Sequence, residues 1–486
     1  MRKRFEQQLS FGQTPISEIR IMTKTRDALP ALMFALQKIF VTPKYNEWLF
    51  NILEAEIIGD KKPTGRPGMD LWWIFVLAEV RLCIGASYDR LHYMANYDKL
   101  MRQIMGVGGE YNMSEKEFEY QNILDNVAML DDDTVRKINE MIVSLGHEVF
   151  KKKDMAALHL KTDSYVVGSN VHFPTDYNLL WDSARKCVDV INYFKQIHHI
   201  GEWGKTRDWR RSLKGLMREV GKASRSGGKN KEERIFHAAA KYIEKAQSFI
   251  IKVKQTKNNL PIKGKVEIRL AKSLEYYLVM LEKHVDLLNR RLLRGEQIGH
   301  EEKVFSIFET YTEWITKGKL YPNVELGKKV LVTTDQDNLM VDYQVMDNQA
   351  DSDVVRQLAK RISDGYAVKS WSFDKGFYSK ENKEFLKNQI QEVVMPKKGK
   401  RNREEQIEEQ GSSFRKFKNL HSAVESNINE LEHRGLNRCP DRGYEHFKRY
   451  VGLGVCAYNL HKIGKELIKQ ARDREERERL RARMCA

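Results

Sequence analysis

Apolar residues recur every three or four positions through Ala31 to Phe40, Trp48 to Ile58 and Leu71 to Ile84, and this spacing predicts three helices. A breaker cluster, Lys61-Lys-Pro-Thr-Gly-Arg-Pro-Gly68, separates the second from the third. Gly85-Ala-Ser87 interrupts next, and Ser87 can cap a helix from Tyr88 to about Met105. Two helices joined by a tight glycine-containing turn have a helix-turn-helix outline, which many helical hairpins share. The pattern changes at Leu158. Leu158 to Val167 alternates and is rich in β-branched and aromatic residues, which predicts a strand. Thr175 or Asp176 can then cap a helix whose apolar face is Leu180, Ala184, Cys187, Ile191 and Phe194.

From about 196 to 322 the pattern predicts long charged helices and no strand, with breaks at Ser224 to Asn230 and Leu260 to Gly264. Strand texture returns in Lys329 to Thr333 and Leu339 to Val345, with Asp335, Asp337 and Asn338 at the hairpin turn. A helix from Ser352 to Ile362 follows, then a strand from Ala367 to Phe373 that ends at Asp374. Next come a helix from Lys380 to Asn388, a strand from Glu392 to Met395 and a basic loop. A helix from about Lys418 to Glu432 and a long helix from Tyr444 complete the order. Without its helical middle, the order from 158 is β, β-hairpin, α, β, α, β, α, the outline of an α/β RNase H-like core. A large all-α insertion follows the first strand, and an all-α DNA-binding domain precedes the core. The expected divisions are 1–155 for the helical amino-terminal DNA-binding and dimerisation region, 156–175 for the first strand, 176–325 for the insertion, 326–442 for the rest of the core, and 443–486 for a helical carboxyl-terminal region.

Composition changes the picture in one respect. The 486 residues are 41% hydrophobic, enough for sizeable cores, but the formal net charge is +17. A surplus that large points to a polyanionic partner, most commonly nucleic acid. The five cysteines, Cys83, Cys187, Cys439, Cys456 and Cys485, have no CxxC spacing and read as reduced, buried thiols of a cytoplasmic protein. Met1-Arg-Lys-Arg leads into polar residues rather than a signal peptide, and Leu71 to Val80 is too short to span a bilayer. Phosphate-loop and dinucleotide fingerprints are absent, which argues against an NTPase or a dinucleotide enzyme.

Phosphodiester cleavage needs an activated attacking oxygen and a stabilised leaving oxygen, and two divalent cations held by carboxylates supply both. Mg²⁺ prefers hard oxygen ligands and keeps several waters, so three acids from separate elements suffice, and Mn²⁺ can substitute. Asp163 in the first strand, Asp374 at a strand's carboxyl end and Glu425 on a helix beside them fit these places. Other acids have simpler readings. Asp335 and Asp337 suit a hairpin turn, Asp176 a helix cap, and Asp347, Asp351 and Asp353 the start of a helix.

These residues carry a resemblance. Asp163-Ser-Tyr-Val-Val with Asn170 to Leu180 looks like the first catalytic block of bacterial insertion-sequence DDE transposases, notably the ISNCY group. Asp374-Lys-Gly-Phe-Tyr-Ser379 is similar to their second block. His421-Ser-Ala-Val-Glu425, with Gly435 to Arg438, Asp441-Arg-Gly443 and Ala457 to Leu460, resembles their third. Gly65-Arg-Pro-Gly68, with Arg66, resembles their amino-terminal DNA-binding region. The resemblance implies a catalytic and metal-binding triad of Asp163, Asp374 and Glu425. It implies binding and cleavage of double-stranded transposon ends, then attack of the freed 3′-hydroxyl on target DNA, in a homodimer or larger complex at the bacterial nucleoid. The chain departs from the pattern at Gly168, where an acid is expected. It departs again at Lys418, His421 and Glu432, where transposases that excise through hairpins set Tyr, Arg and Lys.

Two stretches suit DNA contact. Trp203-Gly-Lys-Thr-Arg-Asp-Trp-Arg-Arg211 interleaves Trp203 and Trp209 with Lys205, Arg210 and Arg211, in a larger basic region running through Arg234. Such a surface neutralises phosphates and can stack a base, worth ~1–3 kcal/mol per base. A tryptophan anchoring the insertion to its own core is the competing reading. The loop of Lys397, Lys398, Lys400 and Arg401 is similarly basic and precedes the Glu425 helix. Two further functions stay open: a non-catalytic DNA-binding regulator derived from a transposase, and a metal-dependent nuclease without strand transfer.

Overall fold

The computed structural model describes residues 2–5, 14–59, 68–107, 116–150, 157–200, 203–316 and 323–485. Arg66 and the breaker cluster around it lie outside them. Helix α1 (Ala28–Val41) starts where the Asp27 side chain accepts a hydrogen bond from the Leu29 amide, and α2 (Pro43–Leu53) starts on a proline with no amide to satisfy. Helix α3 (Leu71–Cys83) is buried on nearly every side, so it is a core helix. Gly85, at φ +59°, turns the chain into α4 (Tyr88–Tyr97), where Ser87 accepts from the Arg90 amide. The single helix expected to run to Met105 stops at Asp98. That side chain instead caps a new helix, α5 (Lys99–Ile104), by accepting from the Met101 amide. Helices α6 (Tyr120–Val127) and α7 (Asp132–Val149) follow, the latter capped by Asp131.

Strand β1 (Leu158–Gly168) leads into a second compact unit, residues 171–314. Its helices are α8 (Asp176–His198), α9 (Thr206–Arg225), α10 (Lys231–Asn258) and α11 (Lys265–Leu288). The cap of α8 is Thr175 rather than Asp176, and the face of Leu180, Ala184, Cys187, Ile191 and Phe194 is buried, as its spacing predicts. Leu213 and Val220 of α9, Tyr242 and Phe249 of α10, and Leu274 and Leu281 of α11 complete this core. Strand β2 (Glu313–Thr316) was not foreseen in a stretch read as strand-free. Its four residues are too few to show alternation.

The first unit resumes with β3 (Val324–Thr334), β4 (Met340–Val345), α12 (Asp351–Ser363), β5 (Val368–Phe373), α13 (Lys380–Lys387), β6 (Glu392–Val394), α14 (Arg403–Gln410), α15 (Ser412–Leu431) and α16 (Tyr444–Cys485). The sheet order is β2-β3-β1-β5-β6, with β4 also on β3. β1 is antiparallel to β3 and parallel to β5, and β5 is parallel to β6. Helix α15 begins at Ser412, earlier than expected, and α14 occupies part of the presumed loop, started by a capping box between Asn402 and Glu405. The amino-terminal helices and α16 belong to the same compact unit as the sheet. Residues 447 to 463 of α16 are mostly buried, and this helix packs on α1, α3 and α7. Any side chain at Gly464 would clash with the Ala31 carbonyl, so the α1–α16 crossing requires glycine there.

Candidate active site

The parallel pairing of β1 with β5 sets Thr162 opposite Phe373. Asp163 and Asp374 are therefore the next residues on two adjacent parallel strands, whose backbones run ~5 Å apart. Trp371 donates from Nε1 to the Thr162 hydroxyl at 2.8 Å, and Thr162 shares a 2.8 Å hydrogen bond with Thr333, so this level of the sheet is pinned from both sides. Helix α15 packs across β1, β5 and β6 and brings Glu425 to the same region. Val424, Ile428 and Leu431 are buried beneath it, while Glu425 and Asp374 are exposed and Asp163 is half-buried.

Electrostatics tie the acids together. Burial, together with the charges of Asp374, Glu425 and Asp351, pushes the Asp163 carboxyl up to about 7, against the opposing effect of its hydrogen bond from the Ser164 amide. A carboxyl that three other acids disfavour in its charged form is suited to a cation. Hard oxygen donors on separate elements are the chemistry that Mg²⁺ takes, although among the described residues no three such side chains converge into a ready-made ligand set.

Asp351 is the residue that sequence reasoning set aside. It does begin α12, but its Oδ1 accepts from the Ser164 hydroxyl at 2.8 Å, and Lys329 pairs with it at 3.2 Å. A Cβ on Gly376, two residues past Asp374, would lie 2.9 Å from Asp351 Oδ2. Nothing in the local pattern marks this residue, because its neighbours come from β1, β3 and the loop after β5. His421, one turn before Glu425, shares a 3.0 Å hydrogen bond with Ser372 through Nδ1. Burial lowers its pKa to about 4, so the ring is neutral near pH 7.

Gly168 has a structural explanation. It ends β1 opposite Gly327, donates to the Asn437 carbonyl at 3.0 Å and accepts from the Cys439 amide at 2.8 Å. A Cβ on Gly168 would sit 3.2 Å from the Asn437 oxygen, and one on Gly327 would clash with the Val167 carbonyl. The other signature residues near the third acid hold the unit together. Asp441 accepts from buried Arg81 at 2.6 and 3.0 Å. Asn459, fully buried, bonds both the amide and the carbonyl of Met340 and the side chain of Asn139.

The expected DNA-contacting residues divide. Trp203 is 2% exposed, packs edge-on against Phe249 and donates to the Thr256 hydroxyl, so it anchors the second unit's core and offers no face to a base. Trp209 is partly buried on the same core, with the Lys245 ammonium over its ring. Arg210 pairs with Asp189, while Lys205 and Arg211 are exposed. In the basic loop, Lys397 pairs with Glu405 and Arg401 with Glu409 of α14, which leaves Lys398 and Lys400 as its exposed cations.

An antiparallel β4-β3-β1 ribbon continued by parallel β5 and β6, with Asp163 on β1 and Asp374 directly after β5, is an RNase H-like sheet order. Residues 298–460 match the family model of the transposase DDE domain. The match holds Asp374, Glu425 and Asp351, while Asp163 precedes it. No curated protein and no solved structure matches the chain. Among the described residues no helix is long and apolar enough to cross a membrane.

Proposed function

We propose that the protein is a DNA transposase that cuts double-stranded element ends and joins the freed 3′-hydroxyl to target DNA, with Asp163, Asp374 and Glu425 as its catalytic carboxylates. The observation that carries the reading is the register of β1 on β5, which makes Asp163 and Asp374 neighbours on parallel strands, in a chain whose residues 298–460 match the transposase DDE domain model. Two Mg²⁺ ions, or Mn²⁺, held by the three acids would supply activation of the attacking oxygen and stabilisation of the leaving one. Asp163 is the least solvated of the three and is held by the Ser164 amide, so its orientation is fixed before substrate arrives. Glu425 and Asp374 are exposed, where they would hold the cations that meet an incoming phosphate. His421, neutral and held by Ser372, keeps α15 seated on β5 without adding a charge among the acids. Exposed Arg90, Tyr93 and Tyr97 on α4 suit the reading helix of a helix-turn-helix, and exposed Lys398 and Lys400 suit phosphate contact. A dimeric complex on DNA in the cytoplasm, at the nucleoid, is part of the same proposal.

The test is cleavage of labelled element-end DNA with Mg²⁺ or Mn²⁺ by wild type and by Asp374→Ala. End-specific nicking that falls by three orders of magnitude or more in the variant, with DNA binding retained, supports the reading; the loss expected of a metal ligand is on the order of 10³-fold or above. Binding without cleavage by wild type would favour a regulator, and cleavage without joined products would favour a nuclease.

A further inference from the structure

Residues 171–314 contain 28 Lys and Arg against 18 Asp and Glu, a net of +10, so the second unit holds more than half of the chain's +17. That surplus is not evenly spread. On α9, Arg207, Arg211, Lys214, Arg218, Lys222 and Arg225 follow one another at intervals of four, three, four, four and three residues. At 3.6 residues per turn all six lie within an arc of ~80° and run for ~27 Å along the helix. All six are exposed, and none has an ion pair among those given for the described residues. The helix's two acids, Asp208 and Glu219, fall outside the arc, and its apolar residues Leu213 and Val220 face the opposite way into the core. At its carboxyl end the stripe opens on a cleft of about 550 Å³ shared with Tyr177 and Asn178 at the start of α8.

We propose that this stripe is a track for the sugar–phosphate backbone of duplex DNA. A small anion would be met by converging cations, whereas these are strung out in a line. The ~27 Å they cover corresponds to about eight base pairs of duplex at 3.4 Å each. A membrane surface would need exposed apolar residues beside the cations, and those of α9 are buried in the core or packed against it. Helix α9 carries no exposed aromatic ring on this face, so the contact is with phosphates and does not depend on base sequence. The inference rests on the DNA-processing reading only for the choice of DNA over RNA. It also moves the DNA-facing surface of this unit from Trp203 and Trp209 to the opposite side of α9, within the basic region that runs through Arg234.

The full-length chain is titrated with a duplex that lacks element ends, and binding is followed by fluorescence anisotropy across a salt series. Each phosphate contact contributes about −0.9 to the slope of log K against log salt. Arg211→Gln, Arg218→Gln and Lys222→Gln together are expected to make the slope shallower by about 2.7 and to weaken binding by tenfold or more at low salt. Lys263→Gln, Lys265→Gln and Lys272→Gln remove the same charge from exposed positions off the stripe and are expected to change it by less than one contact. Unchanged melting temperatures establish that both variants are folded. Equal losses in the two triples, or a wild-type slope in the first, would overturn the track, and so would tighter, equally stripe-dependent binding of an RNA duplex. Asp374→Ala separates the two proposals: it is expected to bind with the wild-type slope while failing to cut. Retained cutting by Asp374→Ala would sink the catalytic reading and leave the track standing.

Discussion

Asp441 serves two buried arginines, and this sets an order of mutational damage that a simple pairwise reading would reverse. Arg81 on α3 is 3% exposed, lies with its guanidinium 4.0 Å from the Tyr88 ring, and donates twice to Asp441. Arg449 on α16 is 5% exposed and lies 3.9 Å from the same carboxylate. The Nε atoms of both arginines are buried without a hydrogen-bond partner, so each already depends heavily on the one counter-charge. Stranding one member of a buried pair costs ~3–5 kcal/mol. In Arg81→Met, Asp441 keeps Arg449, which places the loss near the lower end, ~3 kcal/mol. In Asp441→Asn, two buried cations lose their only shared carboxylate, which places the loss at ~5 kcal/mol. The double variant should cost less than the sum by ~2 kcal/mol, because the second substitution removes a charge already stranded. Native-state hydrogen exchange at amides of α3 and α16 reads these free energies locally, without requiring two-state unfolding of the whole chain. A larger loss in Arg81→Met than in Asp441→Asn, or strict additivity, would refute the reasoning.

Glu79 on α3 is wholly buried, neither carboxyl oxygen has a hydrogen-bond partner among the described residues, and burial raises its pKa well above the ordinary value. Its stabilising contribution is complete below the unfolded value and is lost as pH rises toward the raised one. Glu79→Gln should therefore be more favourable at about pH 8 than at about pH 5, by ~1.4 kcal/mol per pH unit crossed between the two values, and an equal effect at both would count against a buried, neutral carboxyl. Trp203→Ala should cost the second unit ~3–5 kcal/mol, read by exchange at α10 amides, while changing the salt slope of DNA binding by less than one contact; a slope change with intact stability would return Trp203 to the DNA surface. Gly327→Ala should destabilise the β1–β3 end by ~2 kcal/mol or more, since its Cβ meets backbone that cannot swing away, and a neutral result would show that the two strands separate freely there.

Local patterns were enough to outline much of the secondary structure. The alternation in Leu158 to Val167, the helical spacing from Leu180 to Phe194 and the Ser87 cap each describe an arrangement that neighbouring residues enforce by themselves. Asp163 and Asp374 were legible for the same reason: each stands in or directly after a strand, and three ordered motifs flank the acids. Other misses concern partners that only folding brings together. Asp351 looked like a helix-starting acid because its link to Ser164 crosses 187 positions. Lys397 and Arg401 read as part of a basic loop suited to DNA contact, whereas Glu405 and Glu409 pair with them once the capped turn of α14 has formed. Asp441 and Asn459 read as signature residues, while their work is to neutralise Arg81 and to satisfy the Met340 backbone.

The sequence by itself determined the place of most helices and strands and which of their faces are apolar, because periodicity and capping act within a few residues. Only the tertiary structure decided that Asp163 and Asp374 are neighbours, that Trp203 is core, and that Gly168 lies against Asn437. Strand register, burial and desolvation are properties of groups brought together from far apart, and no local spacing contains them.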